Sequence, residues 1–204
     1  MPMLIGGHWR EALSGRTEEI ASPFDGAVVG TMPQSPGPGF DILPDADLEL
    51  TSSAVAAGGY ANAGQVCISV QRVVAHPRIS GDFLDALVPK VKAIRTGDPS
   101  TSETAMGTLI SEAEAQRVRR AIAGAAAAGA RILVGGERNG AMVTPAVVAD
   151  VDPASPFSQE ELFGPAVAVS TAADWESAIA QANGTRYGLP AGIFTAGRPW
   201  TAEP

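Results

Sequence analysis

The sequence is short of several things, and each shortage removes a class of protein. Cysteine occurs once in 204 residues, so no disulfide can form within the chain. A reducing compartment is the natural setting for such a chain, and a cytoplasmic location is the expectation. Histidine occurs twice, at His8 and His76, neither at a Cys/His spacing that would build a structural zinc site. Lys and Arg number 14 against 22 Asp and Glu, a formal charge of -8, so no cationic surplus exists to neutralise nucleic-acid phosphates. Long apolar runs are missing as well. The richest window, residues 121–134, is broken by Arg131 and by glycines and is too short to span a membrane. The opening stretch MPMLIGGHWRE has no basic segment followed by an apolar one, so no secretory signal is expected.

What is present is a chain able to bury a core, with 45% hydrophobic residues and a mean hydropathy of +0.10. Residues 1–33 read as short strands and turns, with Asp25 and Gly26 as a hairpin signal. His8 and Trp9 read as surface residues of that hairpin. Residues 34–40 (QSPGPGF) alternate Pro and Gly and are expected to form a junction that continues neither a helix nor a central strand. From Asp41 the pattern changes to alternating helices and strands over residues 41–197, followed by an atypical tail at 198–204. Asp45 can cap a helix through Leu48 and Val55. Residues 70–75 read as a β-branched strand. Phe83, Leu84, Leu87, Val88, Val91 and Ile94 recur at helical spacing, with Pro89 expected to cost a hydrogen bond or a kink.

Ser111 and Glu114 form a capping box that opens an Ala-rich helix, which Gly129 stops. Residues 131–134 are expected as a buried strand, with further strands at 143–151, 166–170 and 189–195 and a helix at 173–182. Apolar strands alternating with helices give an α/β class, layered helices on a mostly parallel sheet with a short N-terminal β hairpin.

Cys67 is the one nucleophile whose surroundings suggest chemistry. A lone cysteine is by itself commonly a small buried hydrophobe. Here Asn62, Gly64, Gln65 and Ser69 surround it, and Gly64 permits close backbone approach. Between a helix and a strand, Cys67 would sit among free backbone amides that stabilise a thiolate and a developing oxyanion. No His or Asp accompanies it at a Cys–His protease spacing. A thiol without its own histidine suits a reaction in which a hydride leaves the tetrahedral adduct.

Residues 62–72 (NAGQVCISVQR) closely resemble the nucleophile segment of aldehyde dehydrogenases. Residues 159–167 (QEELFGPAV) are similar to that family's EE-[IL]-FGPV block, and 183–192 (NGTRYGLPAG) to its YGL turn. Residues 43–50 (LPDADLEL) and 97–111 (GDPSTSETAMGTLIS) resemble two further blocks in the right order. The resemblance implies that Cys67 attacks an aldehyde to form a thiohemiacetal, that hydride passes to NAD or NADP, and that water hydrolyses the resulting thioester. It implies that Glu161 holds the nicotinamide ribose and that Phe163 packs against the nicotinamide. The expected partner is a small-molecule aldehyde, with a homo-oligomer or a full-length homologue as a further possibility.

The same resemblance identifies what the chain does not contain. Between Met32 and Asp41 the family has a Rossmann-type cofactor domain, including an oxyanion-hole Asn and a Glu general base; here Pro33 stands near the position of that base. The expectation is therefore an oxidoreductase impaired or inactive on its own. The alternatives are a non-catalytic assembly module and a weak thiol esterase acting through Cys67.

Overall fold

Apolar strands flanked by amphipathic helices can bury both faces only by layering, and the computed structural model shows that arrangement. It describes residues 3–5, 8–10, 17–21, 28–33, 39–189 and 191–196. In chain order the strands are β1 (Met3–Ile5), β2 (His8–Arg10), β3 (Thr17–Ala21), β4 (Val28–Pro33) and β5 (Gly39–Ile42). Helix α1 (Leu48–Tyr60), strand β6 (Arg72–Ala75) and helices α2 (Pro77–Lys92) and α3 (Glu112–Ala127) follow. The remainder comprises β7 (Arg131–Val134), β8 (Arg138–Asn139), β9 (Met142–Val143), β10 (Ala146–Ala149), α4 (Pro156–Gln159), β11 (Ala166–Thr171), α5 (Trp175–Ala182) and β12 (Ala191–Phe194).

Six strands form the main sheet in the order β12-β5-β6-β11-β10-β7, with every pairing parallel except that of β10 with β7. The mostly parallel α/β class expected from the sequence is therefore the observed one. Strands β6 and β10 are buried at every residue, as parallel strands covered on both faces should be. One core layer joins Val55 of α1 and Phe83, Leu87 and Val91 of α2 to Val73, Val147, Val167 and Val169 of the sheet. Across the sheet, Val118, Ile122 and Ala125 of α3 meet Ala146, Val148, Ala166 and Ala168. A smaller cluster of Val74, Ala172 and Ala178 seats α5. At the N-terminus β1 pairs with β2 and β3 with β4, both antiparallel, while Asp25 and Gly26 lie outside the described residues.

Several local expectations need correction. The cap of α1 is Asp47, not Asp45: its carboxylate accepts from the amide of Leu50 at 3.0 Å. Asp45 instead meets the hydroxyl of Thr195 at 2.9 Å. The strand before α2 spans only Arg72–Ala75, because Ser69 and Val70 turn back onto α1. Helix α2 ends at Lys92, ahead of Ile94. Pro89 is accommodated inside α2 on an exposed face, where water can solvate the carbonyl that it leaves without an amide.

Ser111 caps α3 by accepting from the amide of Glu114 at 3.2 Å, whereas the Glu114 carboxylate pairs with Arg117 at 2.8 Å. Strand β7 is not buried: Arg131 and Ile132 are exposed because it forms an antiparallel edge. The 143–151 stretch is split between the β8–β9 hairpin and β10.

The expected junction also changes. Gly39 and Phe40 belong to β5, which is an interior strand paired with both β6 and β12, so a central strand does begin inside the Pro/Gly-rich segment. Backbone ladders on both sides fix an extended conformation that Gly does not forbid. The rest of that segment, residues 34–38, lies outside the described residues.

Strand β5 also brings in an unusual group. Asp41 is only 4% exposed and its Oδ1 has no hydrogen-bond partner. Burial pushes its carboxyl up to about 6, with nearby Arg72 opposing that rise. Between about pH 4 and pH 6 the folded chain thus holds a proton that the unfolded chain has released. Stability should fall as pH rises through that window, by on the order of 3 kcal/mol. Chemical denaturation of the native chain at pH 4, 5 and 7 should show this slope, and Asp41→Asn should lack it.

Candidate active site

Helix α1 ends against the sheet through Tyr60, whose buried hydroxyl donates to the carbonyl of Ala146 at 2.8 Å. The chain then reverses hand. Asn62, Ala63 and Gly64 all have left-handed backbone, with φ of 49°, 56° and 71°. L-residues adopt this region at a cost of roughly 1–2 kcal/mol each, so the turn must be held by other contacts. Asn62 and Gln65 supply them: Asn62 Nδ2 donates to the Gln65 carbonyl at 3.2 Å, and Gln65 Nε2 donates back to the Asn62 carbonyl at 3.0 Å. The Gln65 carboxamide also reaches a distant loop, accepting from the amide of Ile110 at 2.9 Å.

Cys67 follows on an exposed crest beside Ile68. Ser69 fastens the far side of the crest to α1, its hydroxyl within 3.3 Å of the carbonyls of Gly58 and Gly59. The amides of Gln65, Ser69 and Val70 are engaged within this frame, whereas those of Val66, Cys67 and Ile68 donate to no group among the described residues. Free amides beside an exposed sulfur are what a developing oxyanion requires.

The second expected block lies alongside. Residues 160–165 run from α4 to β11, with Glu160 and Glu161 exposed, Leu162 buried and Phe163 at φ 48°, 41% exposed. Cys67 precedes β6 and Phe163 precedes β11, and these strands are parallel neighbours. Both segments therefore emerge at the amino end of the parallel strands, although ligands on open α/β sheets more commonly bind at the carboxyl ends.

Their backbones touch at Gly64 and Gly164. A Cβ on Gly64 would lie 2.2 Å from the carbonyl oxygen of Gly164. One on Gly164 would lie 2.5 Å from Val118 of α3. The third block joins the second: Tyr187 donates to Glu160 at 3.2 Å and its hydroxyl accepts from the amide of Glu161 at 3.4 Å. Arg186 pairs with Glu160 and stacks 5.1 Å from the Tyr187 ring centroid. The Tyr187 hydroxyl and the Glu160 carboxylate hold the Arg186 guanidinium above its ordinary value.

Sequence reasoning missed the residues that tie these segments together. Gln71 and Arg117 both hydrogen-bond backbone of the Glu160–Leu162 stretch, from 45 to 91 positions away in the chain. Gln71 was visible within the ISVQR block, but no local pattern could disclose partners so distant. No group of three or more His, Cys, Asp or Glu side chains suited to a metal gathers among the described residues. A cavity of about 220 Å³ lies at the opposite end of the sheet against Asp41, His76 and Trp175, and none of the expected site residues lines it.

Gly64→Ala combines a left-handed backbone with a collision against backbone that cannot rotate away. It should destabilise the chain by on the order of 2–4 kcal/mol in denaturant titrations and alter the rate at which Cys67 reacts with iodoacetamide.

The sequence profile of the aldehyde dehydrogenase family matches residues 40–199. Betaine aldehyde dehydrogenase of Cereibacter sphaeroides is 42% identical over 158 residues, covering 76% of this chain and 33% of that protein. Succinate semialdehyde dehydrogenase [NAD(P)+] Sad of Escherichia coli is 38% identical over 159 residues, covering 76% and 34%. Among solved structures, aldehyde dehydrogenase 21 from Physcomitrella patens in complex with succinate superposes with a TM-score of 0.75 at 34% identity, over 81% of this chain and 35% of that one. The NADP-dependent glyceraldehyde-3-phosphate dehydrogenase of Bacillus halodurans, complexed with NADP, gives 0.76 at 30% identity over 80% and 34%. The chain spans about a third of the length of these relatives. With a family profile matched over most of its length and relatives and solved structures at 30–42% identity, the chain belongs to the aldehyde dehydrogenase family.

Proposed function

We propose that this chain carries the nucleophile half of an aldehyde-oxidising site, with Cys67 as the catalytic thiol and Glu161 and Phe163 as contacts to the nicotinamide end of NAD or NADP. The observation that carries the reading is the abutment of the exposed Cys67 turn on the Glu161–Phe163 segment through Gly64 and Gly164. In this reading the Cys67 thiolate attacks the carbonyl carbon of an aldehyde and forms a C–S bond. The free amides around Cys67 hold the oxygen that becomes negative. When bound, the nicotinamide supplies the acceptor for the hydride lost from the tetrahedral carbon. Water then cleaves the Cys67 thioester, releasing a carboxylate and the thiolate. Relatives named for NAD(P)+ or solved with NADP favour a nicotinamide cofactor.

The described residues fit one end of such a cofactor. Glu161 and Phe163 are exposed on the turn between α4 and β11, and the cavity beside Glu161 is about 20 Å³, room for one water. The resemblance places the adenosine site, the general base and a second oxyanion donor in a domain for which the sequence between Met32 and Asp41 has no room. Loss of a donor costs roughly 10²–10³ in rate and loss of a base roughly 10²–10⁴. Residues 41–197 thus act as a catalytic portion whose turnover alone is strongly impaired, in a cytoplasmic setting suited to a reduced Cys67.

A second reading, docking onto a full-length homologue, is favoured by apolar side chains left exposed near the thiol, Ile68 at 65% and Ile110 at 86%. A third, slow ester hydrolysis by Cys67, is favoured by the exposure of the sulfur.

Calorimetry with NAD+ and NADP+ should give weak heats in the millimolar range, with aldehyde oxidation roughly 10⁴-fold or more below that of an intact enzyme. Absence of heat at millimolar cofactor sinks the dehydrogenase reading. Cys67→Ala should abolish both residual oxidation and any ester hydrolysis, and an esterase rate unchanged by that substitution removes the third reading. Co-purification with a full-length homologue tests the second, and a chain that stays monomeric in its presence counts against it.

A further inference from the structure

Gln71 lies four residues after Cys67, at the entry to β6. Its backbone carbonyl accepts from the amide of Ala168 at 2.8 Å, extending the β6–β11 ladder by one rung. Its side-chain amide reaches elsewhere: Nε2 donates to the carbonyl of Glu160 at 2.6 Å, and Oε1 accepts from the amide of Leu162 at 2.7 Å. Those two groups are the carbonyl before Glu161 and the N–H after it, the pair that a neighbouring parallel strand would ordinarily engage. The Gln71 carboxamide therefore stands in for a peptide group of a missing strand.

Other bonds complete the frame. The amide of Glu160 donates to the carbonyl of Pro156 at 2.9 Å, the amide of Glu161 to Tyr187, and the carbonyl of Leu162 accepts from Arg117 at 2.6 Å. The peptide planes on both sides of Glu161 are fixed while its side chain stays exposed.

We infer that Gln71 is a positioning residue, pinning the peptide groups on either side of Glu161 so that this carboxylate keeps a set direction relative to the Cys67 turn. The role rests on the proposed reading of Glu161 as a nicotinamide-end contact. It demands a donor and an acceptor together at the reach of two methylenes. Asn is one carbon short, ionised Glu has acceptors alone, and Leu has neither. Because Gln71 and Cys67 share one short segment, the clamp couples nucleophile and cofactor contact.

The test uses the whole chain and two substitutions, read by amide hydrogen exchange at Leu162. In Gln71→Leu the protection of the Leu162 amide should drop about tenfold at every pH, the scale of one hydrogen bond. In Gln71→Glu the carboxylate still offers Leu162 an acceptor but sets a charged oxygen against the Glu160 carbonyl. The side chain should be repelled and the protection drop at pH 7, then recover below about pH 4, where the carboxyl regains a proton to donate to that carbonyl. A side chain that merely fills space would not produce that recovery. Protection at Ala168 and Val151 reports whether the sheet remains folded, and the pH comparison within Gln71→Glu decides the matter should Gln71→Leu unfold.

Affinity for nicotinamide mononucleotide should fall about tenfold in Gln71→Leu, and this fall should vanish in a Glu161→Ala background. Unchanged protection at Leu162, no recovery at low pH, or an equal fall in both backgrounds overturns the proposal. If the unsubstituted chain does not bind the mononucleotide, the Glu161 contact itself is wrong and the positioning role falls with it. The exchange data distinguish that outcome from failure of the clamp.

Discussion

The parallel pairing of β6 with β11 is the constraint on which the rest depends. Its register sets Arg72 against Ala168 and Ala75 against Thr171. Because both strands run the same way, the segments that enter them must emerge side by side, and these segments carry Cys67 and Phe163. A shift of one residue in β6 would replace Val73 by Arg72 and Val74 on the face toward α1 and α2, and the charge of Arg72 in that apolar layer is what specifies the register. The close approach of Gly64 to Gly164 is possible only because Gly64 has no side chain, while the lack of one on Gly164 makes room for Val118 of α3.

Around this pairing the polar groups are arranged to fix backbone rather than to neutralise charge. Gln65 and Gln71 each use a carboxamide to satisfy a donor and an acceptor on another segment, Gln65 at Ile110 and Thr108 and Gln71 at Leu162 and Glu160. Arg72 donates to the carbonyls of Gln181 and Ala182 at the end of α5, where cationic groups are favoured by the helix dipole. Surface ion pairs such as Lys90–Glu49 contribute little by comparison, since exposed pairs are worth about 0–1 kcal/mol. Asp41 is the exception, an acid buried without a hydrogen-bond partner for Oδ1.

Much of the fold was legible in the sequence. The helical spacing of Phe83, Leu84, Leu87 and Val91 reported their burial on one face, and Ser111 marked the start of α3. Apolar strands announced a parallel sheet covered on both sides. Exposure at β7 was not legible, since an apolar run reads alike in the centre and at the edge of a sheet. The place of Gly39 in an interior strand was hidden for a related reason: ladders to β6 and β12 impose an extended backbone that local composition argues against. The cap at Asp47 rather than Asp45 turned on a difference of two residues that only the bond to Leu50 resolves.

For the site, the residue types and their order along the chain were determined by the sequence alone: the thiol at Cys67, the acid at Glu161, the aromatic at Phe163, and the family that their motifs indicate. These follow from chemistry that a short motif can carry. Tertiary structure alone decided that the Cys67 and Phe163 segments touch through two glycines, and that Gln71 clamps the backbone around Glu161. The reason is physical. Contacts between residues some 90 positions apart depend on strand order and register, which arise from burial of the whole sheet and leave no signal in any short stretch of chain.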